Sequence, residues 1–180
     1  MRFRGFCTPA LALLLTVGIT STAAAGDDFA TSFASDFERT NRKLVALAEE
    51  IPANKYDWRP AEGVRSVSEV LAHVAFGNFL FPSSMGAELP EDFDPQWEKS
   101  VTGKQEVLEL LRRSIANVEE FMKTKKSFDG IAQVGKNEFP EREAIFILSG
   151  HTHEHLGQTI AYARSMGVAP PWDSPLGPER

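Results

Sequence analysis

Residues 141–166 read EREAIFILSGHTHEHLGQTIAYARSM, and this stretch decides the fold. Pro140 stands where the first turn of a helix tolerates proline, and Glu141 and Glu143 suit the positive end of the helix dipole. Gly167 is placed as a stop, and Pro170 and Pro171 confirm the break. The stretch therefore predicts one long helix ending near Met166. Three of the chain's four histidines fall in His151-Thr152-His153-Glu154-His155. On a wheel of about 100° per residue, His155 lies about 40° from His151, and Gln158 and Tyr162 about 20° from it. These four continue the stripe of Ala144, Ile147 and Leu148, so a core-facing stripe turns polar in its middle. His153 falls about 200° away, with Arg142, Ser149 and Arg164. Phe146 and Ile160 are also on that side, so His153 is left to solvent or to a second subunit.

The fourth histidine, His73, belongs to another helical stretch. Ser66-Val67-Ser68-Glu69 reads as a capping box. Val70, Leu71, Val74, Phe76, Phe79, Leu80 and Phe81 follow, and Pro82 is read as the close. That helix is apolar nearly all round, so it is expected to be the most buried one. A histidine there needs a partner for each ring nitrogen.

Two histidines at i and i+4 can present nitrogens to one ion from a rigid turn, and facing helices of a bundle are a usual place for such sites. His73, His151 and His155 are thus candidate metal ligands. The competing reading has all three hydrogen-bonded within the core, which demands several polar partners in an apolar interior. Other motifs fail on context. The zinc-protease turn His-Glu-x-x-His breaks at Gly157, no nucleophile elbow surrounds Ser149, and no Cys-x-x-Cys-His is present. Glu69, four residues before His73, is a candidate supporting group, although its capping role explains it equally well. Gln158 and Tyr162 are candidates of the same kind, and no catalytic residue is singled out.

The remaining chain supplies two more helices. Phe29, Phe33, Phe37, Leu44, Leu47 and Ile51 recur at helical spacing over 27–51, and Pro52 ends the run. Residues 52–65 are a connection that Tyr56 and Trp58 pin to the bundle. Residues 102–126 form the third helix in order, with Thr102 and Gln105 as a capping box and Leu111, Ile115, Val118 and Met122 on its apolar face. Residues 82–101 are a long acidic connection, either a lid over a site or a solvated crossover with Trp97 tucked in. Residues 127–139 are read as a polar connection, and no strand is expected. Four helices with one long crossover give an all-α four-helix bundle over 26–171, with a Pro-rich, loosely held tail at 172–180.

A chain of 180 residues, 42% hydrophobic and 24% charged, has room for one domain. Its start reads as a secretory leader over 1–25, with Arg2 and Arg4, an apolar run from Ala10 to Ile19, and small residues at Thr22–Ala25. The apolar run is too short for a stable membrane anchor. Export to the periplasm or the exterior is expected. Without residues 1–25 the chain has 17 basic and 25 acidic side chains, a net charge of −8 (17 − 25). That disfavours nucleic acid and anionic membranes. Cys7, the one cysteine, leaves with the leader, which excludes thiolate sites, cysteine nucleophiles and disulfides.

The chain resembles the DinB family, the DinB/YfiT-like group of metal-dependent bundle proteins. The resemblance lies in Trp58-Arg59-Pro60-Ala61-Glu62-Gly63-Val64-Arg65-Ser66-Val67 leading to Leu71-Ala72-His73-Val74-Ala75. It continues in His151-Thr152-His153-Glu154-His155-Leu156-Gly157-Gln158 leading to Tyr162 and Gly167-Val168-Ala169-Pro170-Pro171. It covers most of 29–171. It implies a four-helix bundle with a divalent metal, zinc or nickel, held by His73, His151 and His155, and in several members a homodimer. Three neutral imidazoles leave coordination positions open, which is the catalytic pattern. The resemblance further implies a metal-dependent hydrolase or a transferase, some relatives using low-molecular-weight thiols, with a small-molecule substrate. The leader is a departure from that pattern, because cytosolic thiols are scarcer outside the cell. The alternative is a non-catalytic binding or stress protein whose metal is structural or vestigial.

Overall fold

A computed structural model describes residues 24–173, with side chains from residue 29 onward. The leader's apolar run and most of the tail lie outside the described residues. Helices α1 (Ala24–Glu50), α2 (Val67–Ser84), α4 (Lys104–Thr124) and α5 (Glu141–Ser165) make the bundle, and α3 (Trp97–Ser100) is a single turn within the crossover. Among the described residues no helix is long and apolar enough to cross a membrane.

Around the bundle the order is α1, α5, α2, α4, so α1 and α2 are diagonal, as are α4 and α5. Pairings along the seams give the directions. Asn78 Nδ2 donates to Ser114 Oγ, and Lys125 Nζ to the Met85 carbonyl, so α2 and α4 run parallel. Ser149 bonds Asp36, and Arg142 lies over Phe29, so α1 and α5 also run parallel. Gly77 meets His151 while Arg65 meets Tyr162, so α2 and α5 are antiparallel. Two parallel neighbours consecutive in the bundle cannot be joined by a short turn. The long connection after α2 is the necessary return path.

Local chemistry fixes the ends. The Ser66–Glu69 capping box forms in both directions, and α2 is buried on most of its surface. Pro82 does not close this helix. It sits inside the last turn, and the helix continues to Ser84. The Thr102–Gln105 box does not form either, because Gly103 takes the cap position with φ +80° and no side chain caps the helix. At the end of α5, Gly167 has φ +80°, Val168 N–H donates to the Ala163 carbonyl, and Gly167 N–H donates to the Arg164 carbonyl. That is a Schellman stop, at the position the sequence predicts. Tyr56, buried, donates its hydroxyl to the Ala48 carbonyl at 2.7 Å, which pins the α1–α2 connection.

The expectation of no strand is corrected. Ile131–Val134 (β1) and Asn137–Pro140 (β2) pair antiparallel, with Val134 opposite Asn137. Gly135, with φ +62°, opens the two-residue turn, which is the position where such a hairpin needs glycine. Only Ala132 of β1 is buried, so the alternation is too weak to read from the sequence. The tail expectation is also partly corrected, since Trp172 packs against the core with Lys43 over its ring.

One core cluster joins Leu44, Leu47, Ile51, Leu71, Val74, Val107 and Leu111 at one end of the bundle. A second joins Phe33, Phe37, Val118, Phe121, Ile145 and Leu148 at the other. On α5, His151 and His155 fall between Leu148 of the second cluster and Leu156 of the first.

Candidate metal centre

Gly77 of α2 faces His151 of α5. A Cβ built on Gly77 would come within 2.8 Å of His151 Cε1 and 3.1 Å of its Nδ1, so the missing side chain is the space the ring occupies. The rings of His73, His151 and His155 form a triangle with centroid separations of 4.9, 4.9 and 4.5 Å. One ring nitrogen from each lies within 4.8 Å of the other two. The three residues that the wheel and the second helical stretch single out are therefore in one place.

The outer nitrogens are held from behind. His73 Nδ1 is 2.5 Å from Glu98 Oε1, and His155 Nδ1 is 2.8 Å from Gln158 Oε1. Neutral imidazole has one N–H and one lone pair, so donation from Nδ1 leaves the lone pair of Nε2 free. Gln158 Nε2 donates to Tyr162 Oη at 2.9 Å, and Tyr162 donates to the Arg65 carbonyl at 3.1 Å. Arg65 Nε donates to Glu98 Oε2 at 2.8 Å. Arg65 thus closes a circuit, reaching His73 through its side chain and His155 through its carbonyl.

Gln158 and Tyr162 stand where the sequence puts them. Glu69 does not face His73 through a hydrogen bond; its carboxylate takes the Ser66 N–H at 2.7 Å and Arg59 at 3.1 Å. The carboxylate on His73 is Glu98, which the sequence reading passed over. It is one of five acids in the 82–101 connection, and only the buried Trp97 beside it hints that this part of the crossover docks. His153 is apart from the other three. Its Nε2 is 2.9 Å from Asp36 Oδ2 and 3.2 Å from Thr40 Oγ1, so it ties α5 to α1.

The residues fit a divalent cation. Burial, then the neighbouring His155 and His73, push the His151 pKa down to about 3. Burial also lowers the His155 pKa, against the opposing hydrogen bond of Gln158. Both rings are therefore neutral at pH 7, the form in which an imidazole nitrogen can take a metal. Among the described residues His151 Nδ1 is buried without a hydrogen-bond partner, at a cost of about 1–3 kcal/mol for an unsatisfied group. A cation taken by Nδ1 itself would offset this cost. Burial raises the Glu98 pKa, but the hydrogen bonds of Arg65 and His73 outweigh it, so Glu98 stays ionised behind its histidine.

Two predictions follow from these partners. Glu98→Gln is expected to lower zinc affinity by about 10–100-fold, the usual cost of losing the carboxylate behind a histidine ligand. Glu69→Gln is expected to leave affinity within about threefold, well short of that cost, and to destabilise α2 through its cap. Chelator competition separates the two. The second concerns pH. His151 has a folded pKa near 3 and an ordinary value of 6.5, so the unfolded chain binds the extra proton between those values. Metal-free protein is expected to lose stability as pH falls from 6.5 toward 3, and urea midpoints across that range check it. His151→Gln should flatten the upper part of the curve.

Comparison with known proteins places this geometry. The DinB superfamily profile matches residues 36–159. No curated protein matches the chain. A DinB-like protein of Bacillus cereus superposes with TM-score 0.66 at 16% identity, over 81% of this chain and 95% of its own. A DinB-like protein of Bacillus subtilis gives TM-score 0.57 at 19% identity, over 78% and 92%. A conserved protein of Enterococcus faecalis gives 0.60 at 15% identity, over 74% and 94%. These structures share the fold, and the profile covers α2 and the part of α5 that bears the histidines. The chain belongs to the DinB superfamily.

Proposed function

We propose that this protein is an exported metal-dependent enzyme, a hydrolase or transferase, acting on a small molecule through zinc or nickel held by His73, His151 and His155. The observation that carries the reading is the donor set. Three imidazole nitrogens lie within 4.8 Å of one another, and among the described residues no fourth His, Cys, Asp or Glu joins the group. Structural zinc sites are closed by four protein ligands, whereas three leave room for a substrate atom. When bound, the cation would act as a Lewis acid toward a substrate oxygen or sulfur.

The chain's own residues do the rest. Glu98 and Gln158 orient two rings, Gly77 gives the third its place, and burial keeps His151 from taking up a second proton at pH 7. Export is supported by the leader-like start, whose basic residues, apolar run and small residues stand in the order a signal sequence needs. Protein purified without chelator is expected to carry about one divalent ion per chain. Elemental analysis finding none, with no uptake on titration with zinc or nickel, overturns the proposal.

A further inference from the structure

We infer that the cavity beside the histidines binds an anionic group, a carboxylate or a phosphate, on the small molecule that the metal centre acts on; this rests on the metal-dependent reading above. The cavity has a volume of about 600 Å³, within the usual range for small-molecule sites. Its polar walls are Arg59, Arg65, Lys99, Glu69, Glu98 and Gln158.

Three observations lead to an anion. The first is charge. Three cations face two carboxylates, a local excess of one positive charge on a chain whose net charge is −6. The second is unused donors. Arg65 spends only Nε, on Glu98, and Arg59 spends only Nη1, on the Val64 carbonyl and Glu69. Among the described residues, neither terminal nitrogen of Arg65 nor Nζ of Lys99 has a protein partner. A guanidinium with both terminal nitrogens available matches the two oxygens of a carboxylate or phosphate.

The third is position. Glu98 takes Arg65 on Oε2 and His73 on Oε1, so a single carboxylate separates the guanidinium from a candidate ligand ring. Gln158, which holds His155, forms another part of the wall. An anion resting on Arg65 and Lys99 is therefore one side chain away from the triangle of imidazoles. The cavity would anchor the charged end of the substrate and leave its reacting end to the metal centre.

The test uses the whole zinc-treated protein at low ionic strength, titrated calorimetrically with inorganic phosphate and, separately, with succinate. Saturable binding of at least one probe is expected. Lys99→Glu should weaken it by about tenfold to a hundredfold, the range for losing a charge-assisted hydrogen bond. Lys99 is exposed and is not one of the three clustered histidines, so the substitution should leave zinc content unchanged. Arg65→Lys, which keeps the charge and removes the fork, should separate phosphate from succinate by the size of its effect. No saturable binding of either probe, or equal binding by wild type and Lys99→Glu, overturns the inference. Zinc content measured on the same samples keeps the two claims apart. Zinc present without anion binding removes only the anion site. Anion binding without zinc uptake removes the metal-dependent reading.

Discussion

His155→Ala is expected to strip the metal from the protein, while His153→Ala, two residues away, leaves it in place. His155 is buried in the bundle, its Nδ1 is fixed by Gln158, and one of its ring nitrogens lies within 4.8 Å of one from His73 and one from His151. Losing only the partner behind a ligand costs about 10–100-fold in affinity, so losing the ligand itself should cost more than about a hundredfold. His153 is on the outer seam with Asp36 and Thr40. Its loss removes a half-exposed tie between α1 and α5, a contact of the kind that contributes about 0–1 kcal/mol. Zinc affinity by chelator competition, read beside thermal unfolding, distinguishes ligand loss from unfolding. An equal drop in affinity for the two variants would mean that the helical phase of α5 is misassigned.

A second pair of substitutions tests how the site is built into the packing. Gly77→Ala puts a methyl within 2.8 Å of His151 Cε1, closer than carbon atoms tolerate. Overpacking of this kind costs about 1–3 kcal/mol, and here the atoms that must move belong to a candidate ligand. Both the unfolding midpoint and zinc affinity are expected to fall. Gly157→Ala is the contrast. Nothing lies within 4 Å of a Cβ at Gly157, which sits in the same helix as His151 and His155. Replacing a helix-interior glycine by alanine there should stabilise by about 0.5–1 kcal/mol and leave the metal in place. Stabilisation by Gly77→Ala would show that α2 and α5 do not meet as described.

The helices were legible because their apolar spacing, the Ser66–Glu69 box and the Gly167 stop are local signals, and each formed as the spacing predicts. The inward pair His151 and His155 and the outward His153 could be told apart because an α-helix turns by a fixed angle per residue. Glu98 could not be found that way. It reaches His73 only because α2 and α4 are parallel and the chain must travel back along the bundle, a consequence of tertiary order that no local pattern encodes. Gly77 was hidden for a related reason, since its role is an absence of atoms opposite a residue 74 positions later (151 − 77). The hairpin was missed because β1 buries only Ala132, and one buried side chain makes no alternation.

The route by which the histidines meet has a thermodynamic side. After Cys7 the chain has no cysteine, so no disulfide can cross-link the bundle. A cation shared by His73 and His151 would tie α2 to α5 across 78 residues of chain (151 − 73). Closing a loop of that length by a cross-link removes about 4–5 kcal/mol of conformational freedom from the unfolded state, if the tie survives unfolding. If it breaks, the stabilisation instead follows the logarithm of metal concentration over its dissociation constant. The same three side chains would then serve as the staple of a bundle without a disulfide, and its lifetime in a metal-poor environment would be set by the off-rate of one ion.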